Sequence, residues 1–144
     1  MSPDESSVVL LVEDEPLVRL VVSELLLDSG FRVIEAANAA EALAVLESGL
    51  AVHVLLADVD MPPGINGYAL AHQVRERWPG IEILMTSGRQ WPGEGDLPAG
   101  AAFLAKPCPN ESIVLHVGSA AERARAARPA ARADAKIIPF PKTA

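Results

Sequence analysis

Four apolar runs in this chain each end in a group able to hold a metal ion or a phosphate. Val8-Val9-Leu10-Leu11-Val12 meets Glu13-Asp14, Val54-Leu55-Leu56-Ala57 meets Asp58, Ile83-Leu84-Met85-Thr86 meets Ser87, and Ala101-Ala102-Phe103-Leu104-Ala105 meets Lys106-Pro107. Carboxylates bind hard cations, and Mg²⁺ commonly takes one or two of them together with water and phosphate oxygens. An aspartate can also attack a phosphoryl group where a metal and a nearby cation neutralise the equatorial oxygens. Asp58 is the best-placed nucleophile, Asp14 and Asp58 are the carboxylates for the ion, and Lys106 and Ser87 are the partners for phosphoryl oxygens. These residue types in this order predict Mg²⁺-assisted phosphoryl chemistry, provided the four run ends meet in space.

An open parallel sheet would bring them together, because its ligands bind in the crevice beyond the carboxyl ends of the strands. Strand-like runs near 8–12, 32–36, 53–58, 81–86 and 101–105 alternate with helical stretches, which predicts a doubly wound α/β fold with helices on both faces. The nearly continuous Val/Leu runs at 8–12 and 54–57 suit strands buried on both sides, whereas Arg32-Val33-Ile34-Glu35-Ala36 is mixed, as at an edge. Leu17, Leu20, Val21, Leu25 and Leu27 form the apolar stripe of a helix over about 16–28, with Pro16 in its first turn and Ser29-Gly30 closing it. Asn38 caps a helix over 39–48, where Ala42, Leu43, Val45 and Leu46 face inward and Gly49 stops it. A third helix over 67–78 ends at Pro79-Gly80. Gly88 to Gly100 contains Pro92, Gly93, Gly95 and Pro98. Internal Pro and Gly cost a helix roughly 3 and 1 kcal/mol, so a loop or a single turn is expected where the fourth crossover helix would stand. A last helix starts near Pro109-Asn110 and runs to about Ala127, with Pro129 beyond it.

At 144 residues the chain accommodates one core and a tail. The expected division is an N-terminal extension over 1–7, the domain over 8–127 and a flexible basic, proline-containing tail over 128–144. No apolar stretch approaches the ~18 residues of a membrane helix, and the acidic start is unlike a leader peptide. A cytoplasmic protein without a membrane partner is expected. The single cysteine, Cys108, agrees with a reducing compartment and reads as a small residue near the site. Residues 1–121 carry 17 acids and 6 bases, whereas residues 122–144 carry 2 acids and 6 bases. The acidic body repels nucleic acid, so none is expected as a partner. Within the tail, Lys136-Ile137-Ile138-Pro139-Phe140-Pro141 is a segment that could dock as a short strand, although a solvated terminus is the plainer reading.

Taken together, the motifs resemble the receiver domain of two-component response regulators. The matching pieces are Val12-Glu13-Asp14-Glu15, Ala57-Asp58-Val59-Asp60-Met61-Pro62 followed by Asn66-Gly67, Thr86-Ser87-Gly88, and Gly100-Ala101 leading to Phe103-Leu104-Ala105-Lys106-Pro107. The resemblance spans about residues 7–127 and implies a flavodoxin-like five-stranded parallel sheet of order 2-1-3-4-5. It implies that Asp58 accepts a phosphoryl group from a histidine kinase or phosphotransfer protein. Asp14 would be the direct Mg²⁺ ligand beside Glu13, and the backbone carbonyl of Asp60 would complete the metal site. Ser87 and Lys106 would bind the phosphoryl oxygens, Phe103 would be the aromatic switch, and the Lys106-Pro107 bond would be cis. Thr86 also offers a hydroxyl, but adjacent strand side chains point to opposite faces and Ser87 aligns better.

The sequence departs from that pattern in two places: the loop Met61 to Gly67 looks one residue longer than the family's common loop, and the fourth helix is missing. Only 38 residues follow Lys106, so a stand-alone regulator is expected, with an unknown downstream protein partner and room for a homodimer. Its only enzymatic chemistry would be its own phosphorylation and dephosphorylation. A degenerate receiver acting as a constitutive binding module is the alternative. A haloacid-dehalogenase-like phosphatase is a poorer one, because Asp58-Val59-Asp60 is followed by Pro62 where those enzymes need Thr or Val, and no acidic pair follows Lys106. His53, His72 and His116 lack ligand spacing, Glu41 and Glu47 read as solvated helix face, and Trp91 reads equally as a core cap or a partner anchor.

Overall fold

A computed structural model of the chain describes residues 6–60, 66–89 and 91–127. Strands β1 (Val8–Val12), β2 (Arg32–Ala36), β3 (Val54–Asp58), β4 (Glu82–Ser87) and β5 (Ala102–Ala105) alternate with helices α1 (Pro16–Asp28), α2 (Ala39–Glu47), α3 (Gly67–Arg77) and α4 (Asn110–Ala127). All neighbouring strands pair in parallel, in the order β2-β1-β3-β4-β5. This is the doubly wound sheet that the spacing predicts, in the flavodoxin-like order that the resemblance implies.

The two-residue period of the strands divides their side chains between two cores. Leu10, Val12, Leu55, Ala57, Ile83 and Met85 pack with α2 and α3, while Val9, Leu11, Val54, Leu56 and Leu84 pack with α1 and α4. β1 and β3 are buried along their whole length, whereas β2 exposes Arg32 and Glu35 at the sheet edge. The alternation sends Ser87 to the same side as Met85 and Phe103, away from Thr86.

Local signals decide where helices begin and stop. Asn38 Oδ1 accepts the Glu41 amide at 2.8 Å, and Asn66 Oδ1 accepts the Ala69 amide at 2.9 Å, so both residues cap helix starts. Glu41 is not merely solvated: its carboxylate reaches back to accept the Ala37 amide at 2.7 Å, in the manner of a capping box. Glu47 pairs with Arg77 at 2.9 Å. Gly30 and Gly49 follow α1 and α2 at φ +97° and +90°, the left-handed region that ends helices.

The stripe on α1 needs correction. Leu17, Leu20, Val21 and Leu27 are exposed, and the residues of α1 buried against the sheet are Ser23 and Leu26, with Val22 and Leu25 partly covered. Both sides of this helix are apolar, so periodicity alone does not identify the inner one.

Among the described residues no helix joins β4 to β5. The connecting loop is instead fastened to α3. His72 Nε2 lies 2.9 Å from the Gly95 carbonyl oxygen and 3.0 Å from that of Asp96. Arg75 donates to the carbonyls of Ala99 (3.0 Å), Pro79 (3.1 Å) and Ile81 (3.2 Å). Asp96 turns the loop by accepting the Gly93 amide at 2.7 Å. A loop lacking helical hydrogen bonds must satisfy its carbonyls otherwise, and these side chains do so. The long loop after β3, the extension before Ser6 and the tail with its docking segment lie outside the described residues.

The start of α3 fits tightly beneath the end of β3. A Cβ on Gly67 would lie 2.6 Å from both the Asp58 carbonyl oxygen and the Val59 Cα. Because backbone cannot yield as a side chain tip does, Gly67→Ala should destabilise the fold by about 1–3 kcal/mol or more in urea denaturation. Gly80→Ala, with nothing within 4 Å of the added atom, should stay near wild type.

Candidate functional site

The four run ends meet beyond the carboxyl ends of β1, β3, β4 and β5. Carboxylate oxygens of Glu13, Asp14 and Asp58 all lie within 4.8 Å of one another. Lys106 Nζ stands 2.9 Å from Asp58 Oδ2 and 3.7 Å from Glu13 Oε1. The other Asp58 oxygen, Oδ1, accepts the Asp60 amide at 2.9 Å. Glu13 and Asp58 are buried, and Asp14 is the most open of the three acids.

Backbone geometry holds each member. The Glu13 amide continues the sheet ladder to the Ala36 carbonyl at 3.0 Å, its side chain accepts the Glu15 amide at 3.1 Å, and its carbonyl accepts Arg19 Nη1 at 2.7 Å. Arg19, which sequence reasoning did not single out, also reaches Glu35 at 3.3 Å and so ties the acidic turn to β2. The Lys106 amide donates to the Ser87 carbonyl at 3.0 Å, and the Lys106-Pro107 bond is cis.

Crowded acids leave an electrostatic signature. Burial, with the charges of Asp58 and Asp14, raises the Glu13 carboxyl to about 7, against the opposing effects of the Glu15 amide and Lys106. Burial alone would lower Lys106, but its hydrogen bond to Asp58 and the surrounding acids outweigh that and hold it above its ordinary value. Burial also raises the Cys108 thiol, with Lys106 opposing, so the neighbouring cysteine stays protonated and reads as packing.

Ser87 is fully buried. Its hydroxyl donates to Asp60 Oδ2 at 2.8 Å and accepts the Arg89 amide at 3.1 Å. The Asp60 carboxylate is therefore part of the site, in addition to the backbone carbonyl that the resemblance assigns to it. Phe103 packs partly buried on the α2–α3 core and meets Trp91 at a centroid separation of 5.5 Å and a tilt of 53°. Trp91 is 68% exposed, so it covers Phe103 while presenting its other side to solvent. The histidines lie elsewhere: His53 Nδ1 accepts the Val8 amide at 3.0 Å, and His116 Nδ1 lies 2.8 Å from the Ser112 carbonyl oxygen. Clustered acids facing one lysine suit a hard divalent cation and an oxyanion bound side by side.

Residues 9–118 match the model of the response regulator receiver domain. The chain belongs to this family. It is 39% identical over 106 residues to the sensor kinase CckA of Brucella abortus, covering 71% of this chain and 11% of the kinase. It is 34% identical over 134 residues to the response regulator Rre1 of Synechocystis sp., covering 89% of this chain and 57% of Rre1. The chain thus spans less than two thirds of either relative. Among solved structures, the receiver domain of the hybrid histidine kinase CckA is similar at 32% identity with a TM-score of 0.69, over 80% of this chain and 99% of that one. Chemotaxis protein CheY4 of Vibrio cholerae is similar at 28% identity with a TM-score of 0.70, over 80% and 98%.

The acid cluster makes the stability of this receiver depend on pH. A folded-state carboxyl near 7 against 4.5 in the unfolded chain costs stability as pH rises from the lower value, and the cost levels off above the higher one. In chelator, lowering the pH from 8 to 6 should therefore return about 1 kcal/mol of that cost. Denaturation of wild type against Glu13→Gln isolates this contribution, which the variant should lack.

Proposed function

We propose that this receiver accepts one phosphoryl group on Asp58 from a histidine kinase or phosphotransfer protein, and acts through phosphorylation-dependent protein contacts of its own surface or by passing the group on. The observation that carries the reading is the meeting of Asp58 with Lys106 at 2.9 Å inside a three-acid cluster. In the proposed step an Asp58 carboxylate oxygen attacks phosphorus while the phosphorus–nitrogen bond of the donor breaks, and the electron pair leaves on the donor's imidazole. Lys106 holds a developing phosphoryl oxygen, and Ser87 turns its hydroxyl from Asp60 to another.

The donor set suits Mg²⁺: Asp14 and Asp58 would hold it directly, with Glu13 beside them and the Asp60 carbonyl completing the site. When bound, Mg²⁺ would supply positive charge for the phosphoryl oxygens. In this reading the protein acts on no other substrate, and its own phosphorylation and dephosphorylation are its whole chemistry. We place it in the cytoplasm, where its phosphodonor would be met. Among the described residues no helix is long and apolar enough to cross a membrane.

A low-molecular-weight phosphodonor with Mg²⁺ should add one acid-stable, alkali-labile phosphoryl group, read by intact-protein mass spectrometry. Asp58→Asn should take up none, and chelator should abolish labelling of wild type. Lys106→Ala should slow labelling on the order of a hundredfold, as expected when one charge-stabilising donor is lost. Undiminished labelling of Asp58→Asn would overturn the assignment to Asp58, and a wild-type protein that takes up no phosphoryl group would leave a constitutive binding module as the better reading.

A further inference from the structure

The exposed apolar side of α1 continues into a groove between α1 and α4. The groove has a volume of about 390 Å³ and is lined by Leu25, Val114 and Leu115 with Asn110 and Glu111. Leu115 is 67% exposed, and Val21 sits one helical turn from Leu25 at 53% exposure. A cluster of uncovered aliphatic side chains at this density marks a docking surface.

Charge indicates what would cover it. The exposed acids of this side are Glu24 and Asp28 on α1 and Glu111 in the groove. The one base of α1, Arg19, is turned away to the Glu13 carbonyl and to Glu35. An apolar floor with an acidic rim calls for an apolar segment flanked by bases. A second copy meeting this face with its own would set acid against acid.

The chain itself carries the complementary segment. Residues 128–144 hold four bases and one acid, and within them Lys136 and Lys142 flank Ile137-Ile138-Pro139-Phe140. Reach is sufficient. From Val114 to the end of α4 at Ala127 is about 20 Å at the helical rise, whereas the ten residues from Ala127 to Ile137 span up to about 33 Å. Pro139 and Pro141 also suit a short extended segment that adds no helix.

We propose that residues 136–142 seat in the α1–α4 groove of their own chain, with Ile137, Ile138 and Phe140 on Leu25, Val114 and Leu115 and the lysines at the acidic rim.

Methyl-resolved NMR of the full chain tests this against a full-length variant carrying Ile137→Ser, Ile138→Ser and Phe140→Ser. The Leu25, Val114 and Leu115 methyl resonances should differ between the two proteins by more than other methyls do. The difference should be independent of protein concentration, and a peptide of residues 134–144 added to the variant should move those resonances back toward the wild-type positions. Coincident spectra would overturn the proposal. So would changes confined to the Trp91–Phe103 side, or a difference that grows with concentration, which would assign the groove to a second copy.

Discussion

Three carboxylates are held together at one edge of a sheet whose interior is otherwise aliphatic, and the rest of the molecule accommodates that constraint. Two like charges 4 Å apart repel by about 1 kcal/mol in water and about 4 kcal/mol at the effective dielectric of a protein surface. Lys106 offsets part of this, the amides of Glu15 and Asp60 offset more, and Glu13 relieves the remainder by holding its proton near neutral pH. None of these interactions folds the chain. Leu10, Leu55, Leu84 and Ile83 are essentially inaccessible, and truncating one such side chain typically costs 2–5 kcal/mol. The aliphatic sandwich is strong enough to keep the acids apart from the alternatives that would disperse them. A divalent cation that neutralised the cluster would meet a site already formed, and its binding would add directly to stability.

Much of this was legible in the residues, because the strands are short apolar runs that stop abruptly at polar groups. Burial on both faces demands continuous Val and Leu, and only the crevice end allows Asp58 or Lys106, so the strands and their crevice ends followed from composition, whereas their order followed from the resemblance and their register from the packed sheet alone. Asn38, Gly30 and Gly49 were equally plain, since capping and left-handed turns select residue types locally. The inner side of α1 was not legible: Leu17 and Leu26 are chemically alike, and only the packed sheet distinguishes them. Nor was the pairing of Ser87 with the Asp60 side chain, which depends on two strand ends 27 residues apart in sequence.

The fourth crossover shows how the fold manages without a helix. Pro and Gly forbid one, yet the loop carbonyls still need donors, and α3 supplies them from His72 and Arg75 across 23 and 24 residues of sequence. These side chains lie on one face of α3, one turn apart, so the helix doubles as a scaffold for the loop. The same helix abuts Asp58 at Gly67. α3 therefore touches the proposed phosphorylation site at one end and fastens the β4–β5 connection along its length, a task that in an ordinary crossover belongs to the helix itself.

This arrangement also bears on how a change at Ser87 would be felt elsewhere. Ser87 is fully buried, and interiors at crystalline packing density do not tolerate an empty position. If its hydroxyl leaves Asp60 for a phosphoryl oxygen, a neighbour on the same face of the sheet must follow. Met85 is fully enclosed and held between the sheet and α3, but Phe103, paired with it across β4 and β5, is only partly buried. Its outer neighbour is the exposed ring of Trp91 on a loop, in the place a packed helix would occupy. Phe103 is thus the side chain with the softest surroundings on that face, and any inward movement of its ring uncovers Trp91. In that event the loss of the fourth helix would concentrate the outward effect of the site on one aromatic pair.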